Sequence, residues 1–312
     1  MPDPVVHTVF GKEVKERLSP EAREALVPAP YSFALYGPDP WFGYKPWTQR
    51  KKGRGRVMHT VKTGEFLTTL AEQAKTGKSR AEMYSYLAGF LCHYALDAAA
   101  HPYIIRKTVT DYPYPRAHMG FEHTLDNRQM ERDGHAGETH PLTDHYYLDF
   151  QLPAAMEEDL NRVYKRVYGW DDCHRLLNRS SRIFRAFFRV MENPRNLPGI
   201  AAKHQTKGGL RSMTYSNSYF RDADVENEGH AEWAHSHDDT ILSRESFAEL
   251  KEKGARRAVR MIEAAYRYIY TGDITKEELA ETIGNDSYLS GLPLDDPRNT
   301  AVESMMPAEF QT

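Results

Sequence analysis

Between positions 93 and 101 the chain reads His-Tyr-Ala-Leu-Asp-Ala-Ala-Ala-His, and this stretch restricts the fold more than any other part of the sequence. It follows Ser79-Arg80-Ala81-Glu82, which has the form of a capping box, and then Met83, Leu87 and Leu91 at helical spacing. A helix is expected from there to about Ala100, with Pro102 at its end or at a kink. At 100° per residue, His93, Asp97 and His101 fall within about 80° of one another, so three ligand-type side chains share one face for over two turns. Ala98, Ala99 and Ala100 leave room for another element to come close. A second expected helix, Arg116 to about Arg132, repeats the pattern with His118 and Glu122 one turn apart. Any one of these histidines is more simply read as a surface or core residue. Five such groups on apolar-flanked faces all need partners, because polar groups buried without them are costly, and together they point to metal.

Composition narrows which metal chemistry is open. Cys92 and Cys173 are the only cysteines, too few for a disulfide framework or a thiolate zinc site, so zinc would have to take nitrogen and oxygen ligands. The net charge of -3, with acidic and basic residues interspersed, gives no electrostatic footprint for duplex nucleic acid. No apolar run approaches the length of a membrane span, and the start MPDPVVHTVFGKEVKE has neither a basic nor an apolar signal region. A cytoplasmic protein is the expectation from that.

Strand signals are sparse and helical ones frequent. Leu152 to Val167, Asp171 to Glu192, Ser246 to Tyr270 and Thr275 to Ile283 carry apolar residues at three- and four-residue spacing, and Thr275-Lys276-Glu277-Glu278 is another capping box. Tyr36 to Arg56 and Gly134 to His145 read as loops. The expected fold is all-α, a multi-helix single domain over residues 1–285, with 286–312 as a mobile tail rich in Asp, Pro and Ser.

Taken in order, the motifs resemble the zinc-dependent phospholipase C family, which is related to the zinc-dependent single-strand nucleases. They are His7 before Thr8-Val9-Phe10-Gly11, then Gly37-Pro38-Asp39-Pro40, Val57-Met58-His59, the run from His93 to His101, and His118 with Glu122. The resemblance covers about the first 125 residues, with a weaker echo around Asn227 to Trp233. It implies Zn2+ as cofactor, two or three ions: Asp39, His59, His93 and Asp97 for one, His101, His118 and Glu122 for a second, and His7 with a bridging Asp97 for the third. In the secreted bacterial phospholipases an N-terminal Trp completes the third ion, and no counterpart is expected here. The implied activity is phosphoric ester hydrolysis, a zinc-bound hydroxide attacking a phosphodiester with Asp39 or Glu122 as proton acceptor. The substrate would be a small-molecule or lipid phosphodiester. Nucleic acid enters only as the substrate of an alternative nuclease or nucleotidase, and a zinc-stabilised binding protein without catalysis is the reading from another class. Oligomeric state is not legible.

The headgroup preference of the secreted enzymes does not carry over, because Asp39 is followed by Pro40, Trp41 and Phe42. Trp41, Phe42, Tyr44 and Trp47 are open to two readings, substrate contact or ordinary loop packing. The basic run Arg50 to Arg56 reads as a solvated loop. His123 points about 100° away from the His118–Glu122 face, and His135, His140 and His145 read as solvent-facing. His230, His235 and His237 are placed near the mouth of the site but not among its ligands.

Overall fold

The computed structural model describes residues 4–45, 53–113, 116–193, 195, 200–201, 210–215, 220 and 223–299. Among the described residues ten helices fill the first two thirds: α1 (Pro4–Glu16), α2 (Pro20–Glu24), α3 (Pro28–Ala34), α4 (Arg54–Thr60), α5 (Thr63–Thr76), α6 (Arg80–Arg106), α7 (Ala117–Arg132), α8 (Pro141–His145), α9 (Glu157–Tyr168) and α10 (Cys173–Glu192). A short α11 (Leu210–Met213), a two-stranded hairpin of β1 (Trp233–His235) and β2 (Asp238–Ser243), α12 (Phe247–Tyr266) and α13 (Lys276–Ile283) complete the order. Among the described residues no helix is long and apolar enough to cross a membrane.

The fold is all-α and is organised around α6. Every residue from Met83 to Ala98 is buried, which fits a helix apolar on all sides rather than along one stripe. α3, α5, α12 and α1 surround it. Tyr84, Tyr86, Phe90 and Tyr94 fill the spaces between them and bury the large apolar areas that dominate core energetics. The helices anticipated at 116–132, 171–192 and 275–283 lie within a residue or two of the observed bounds, and the Thr275 capping box forms.

Three departures bear on the site. The capping box expected at Ser79 does not form: its hydroxyl and amide both donate to Asp159 Oδ2, at 2.6 and 2.9 Å, so a tertiary contact replaces the local one. α6 does not stop at Ala100 but runs on through Pro102 to Arg106. Pro102 cannot serve the carbonyl of Ala98 one turn back. Gly291, at φ +66°, packs directly over that carbonyl, where a Cβ would collide with the oxygen. The element admitted by the alanines is therefore the stretch around Gly291. Residues 286–299, anticipated in the tail, include the fully buried Tyr288 and pack against α6, while 300–312 lie outside the described residues. The third departure is the hairpin, whose antiparallel register pairs Trp233 with Ser243 and Ala234 with Leu242. Its strands are short and β2 is largely exposed, so no alternating pattern marks them.

The aromatic loop is core packing where it is described. Trp41 is fully buried, edge-on to Tyr44, Tyr164 and Trp170 at 5.6 to 5.8 Å, with the Arg54 guanidinium 4.8 Å from its ring. Trp47, Arg50, Lys51 and Lys52 lie outside the described residues.

Candidate metal centre

Four elements besides α6 bring ligand-type side chains to its His93–His101 face. α1 supplies His7, the turn after α3 supplies Asp39, and α4 supplies His59, while α7 faces the far end of the stripe with His118 and Glu122. All eight of these residues are buried.

Asp97 is the hub. Its carboxylate lies 3.2 Å from His7 Nε2, 3.1 Å from His93 Nε2, 3.9 Å from His59 Nε2 and 3.7 Å from His101 Nδ1. Asp39 Oδ1 is 3.4 Å from His59 Nε2. One turn further along α6, Glu122 Oε1 sits 3.3 Å from His101 Nε2 and 2.9 Å from His118 Nε2. The residues form three buried groupings able to hold an ion, His7–His93–Asp97, Asp39–His59–His93 and His101–His118–Glu122.

Two features separate this arrangement from an ordinary buried polar network. Asp39 Oδ1, His59 Nε2, His93 Nε2 and Asp97 Oδ2 face one another yet have no hydrogen-bond partner, a costly state for buried atoms unless something else occupies the space between them. The opposite ring nitrogens are all anchored: His59 Nδ1 to Gly55 O at 2.7 Å, His93 Nδ1 to Leu35 O at 3.1 Å and His101 Nδ1 to Tyr288 O at 2.7 Å. A backbone carbonyl accepting from Nδ1–H fixes the tautomer and turns the Nε2 lone pair inward, as metal-ligating histidines require. The donors are nitrogen and carboxylate oxygen, which suit zinc.

The local backbone is shaped to this end. Gly37, at φ +49°, lies against the His93 ring so closely that any Cβ would clash, which lets the Pro38-Asp39 turn pass over the imidazole. A cavity of about 20 Å3 opens between His7, Asp97, His101, Glu122 and Asp126, room for about one water-sized occupant.

Electrostatics follow from burial and proximity. Burial disfavours the charged form of Asp97, but the imidazoles of His93 and His101 outweigh it and hold the carboxyl well below its usual range. Burial lowers His7, and it brings His118 down to about 4. For His93 and His101 burial is overcome by the neighbouring carboxylates, Asp97 first, so both rise above 6.5.

A family model described as zinc-dependent phospholipase C matches residues 6–173, over half of the chain. The protein belongs to the zinc-dependent phospholipase C family. The matched stretch includes all eight residues, while the Tyr288 wall and α12 lie beyond it. No curated protein and no solved structure matched the chain. Membership in this phospholipase C family and the three buried groupings together support a zinc-dependent hydrolase.

Sequence reasoning missed Asp126. It continues the α7 spacing, 118, 122, 126, but its carboxylate accepts from Val5 N and Val6 N at 3.1 and 2.8 Å, so it caps α1 and sets the position of His7. That extra turn of periodicity was the available signal. His123, one step off the ligand face, is buried and stacked 4.1 Å from the Tyr215 ring. His235 donates to or accepts from no ligand of the centre but bonds Ser290 O at 2.9 Å, two residues from Tyr288, while His230 is exposed and bonds Arg244 O.

Proposed function

We propose that this protein is a zinc-cluster phosphoesterase that cleaves phosphodiesters. The observation that carries the reading is Asp97, a buried carboxylate within 4 Å of four imidazoles, two of whose facing nitrogens have no hydrogen-bond partner. Asp39, His59, His93 and Asp97 would hold one ion, His101, His118 and Glu122 a second, and His7 with Asp97 a third beside the cavity that His7, Asp97 and Glu122 line. Zinc so held supplies a bound water of lowered pKa and Lewis-acid stabilisation of phosphoryl oxygens.

The chain's own groups divide the remaining work. Asp97 draws the groupings together, and the three carbonyl-anchored imidazoles keep their Nε2 atoms inward. Asp39, beside His59, and Glu122, between His101 and His118, are the two carboxylates that could accept a proton. Substrate would be a small-molecule or lipid phosphodiester in a cytoplasmic setting, and the functional domain runs past residue 285 to take in Tyr288, whose carbonyl anchors His101.

The test is metal content per chain by plasma mass spectrometry on protein purified without added metal, for wild type, His93→Ala, His118→Ala and Asp97→Asn, with a panel of phosphocholine-type diesters and single-stranded oligonucleotides. Two or more zinc equivalents, reduced in each variant, with headgroup release abolished in Asp97→Asn, is the expected result. Mononucleotide release instead would make it a nuclease. Full zinc and full turnover in Asp97→Asn would remove the bridging role.

A further inference from the structure

Three histidines recur every fifth residue after α7, and the structure divides them. His140 turns to Glu192, its Nδ1 3.2 Å from Oε1. His135 and His145 come together, their rings stacked at 3.8 Å and only 14° from parallel, with their edges on one carboxylate. His135 Nδ1 is 2.9 Å from Glu138 Oε1, and His145 Nε2 is 2.7 Å from Glu138 Oε2. The three residues offer ligand atoms that all lie within 4.8 Å of one another. They are part-exposed, 28, 42 and 37 % for His135, Glu138 and His145, unlike the buried centre. Among the described residues Glu138 is paired with no lysine or arginine; of the two nearest acids in sequence, Asp133 accepts from Gln129 and Tyr146, and Asp144 is taken up by Arg189 at 2.9 Å.

We propose that His135, Glu138 and His145 form a second, solvent-facing site for a zinc-class divalent cation, separate from the buried centre. Two imidazole nitrogens and a carboxylate oxygen are the donor set zinc accepts with water in the fourth position. In the metal-free protein each ring presents N–H to Glu138. Binding requires only that this proton move to the other nitrogen of the same ring, giving the lone pair to the ion with no net loss of a proton. Stacking has already aligned both edges, which reduces the ordering that capture demands. The field is favourable as well: His135 N bonds Met130 O at 2.9 Å, so the ring lies just beyond the C-terminal end of α7, where the helix dipole favours a cation. From Glu122 to Arg132 the same helix rises about 15 Å, which keeps the two sites apart. An ion here would staple the end of α7 to α8.

The test uses protein with its buried centre fully loaded and then desalted. Zn2+ is titrated against a chromophoric chelator, and Co2+ serves as an optical probe in parallel, for wild type, Glu138→Gln and His145→Ala. One further equivalent is expected, bound more weakly than the buried zinc and weakened about tenfold or more in each variant, while both variants retain their buried zinc and hydrolytic rate. The surface position leaves folding intact, and retained buried zinc verifies it. No further uptake at about millimolar ion, or uptake the variants do not alter, would overturn the site. Loss of the buried zinc in either variant would overturn its separateness.

Discussion

His59, His93 and His101 each spend one ring nitrogen on a backbone carbonyl and turn the other into a buried space shared with carboxylates. That division of labour has a measurable consequence at the scale of single protons. His93 and His101 are raised above 6.5, so at pH 6.5 the metal-free protein holds protons that an incoming ion must displace, whereas His7 and His118 are lowered and hold fewer. Metal uptake is therefore expected to release protons at pH 6.5, with release declining and affinity rising as pH climbs above the raised pKa values. Calorimetry in buffers of differing ionisation enthalpy reads this directly, and uptake without proton release at pH 6.5 would contradict the assignment. Gly37 offers a second residue-scale test. Gly37→Ala puts a Cβ against the His93 ring at a left-handed φ, and a loss of about 1–3 kcal/mol in chemical denaturation is expected, together with reduced zinc content.

At the scale of elements, α7 does two jobs from one stripe. His118 and Glu122 face the end of α6, and Asp126 reaches the first turn of α1. Because α1 carries His7, the cap on one helix fixes a ligand-type group for the neighbouring helix. Asp126→Asn replaces one of the two oxygens that accept from the α1 backbone with an amide donor; we expect it to cost about 1 kcal/mol of stability and to weaken retention of the most labile zinc by roughly 10–100-fold in chelator competition. An unchanged zinc affinity would show that His7 is positioned without the cap. The same scale explains the failed box at Ser79: a buried acceptor on α9 competes for the same hydroxyl and wins, whereas the solvent-facing Thr275 has no such rival and caps locally.

For the whole molecule, the centre is where α1, α4, α6, α7 and the returning segment around Tyr288 meet, and its carboxylates and imidazoles are buried together. Folding without the ion leaves these buried groups facing one another, so the metal should contribute substantially to global stability. At free zinc near 1,000 times the dissociation constant the contribution is about 4 kcal/mol. Chelation should lower Tm by several degrees, and zinc but not magnesium should restore it, because this donor set suits zinc and magnesium prefers oxygen with retained water. A Tm indifferent to chelator would mean the cluster is stable as a hydrogen-bonded network.

What the sequence determined by itself was local and periodic. Spacing of four along α6 and α7 put His93, Asp97, His101, His118 and Glu122 on two faces, and apolar spacing located the longer helices from α6 onward but not α1 to α5, because helical geometry is set within a few residues of chain. His7, Asp39 and His59 were legible only through the order of motifs, since no local rule says that α1, the Gly37 turn and α4 converge on α6. Tertiary structure alone decided the rest: that Asp126 caps α1, that His135 and His145 stack while His140 departs, that Pro102 continues its helix under Gly291, and that Tyr288 returns to anchor His101. Each of these joins residues distant in the chain or sets one neighbour against another, so it depends on how the helices pack around α6 and not on any single segment's preference.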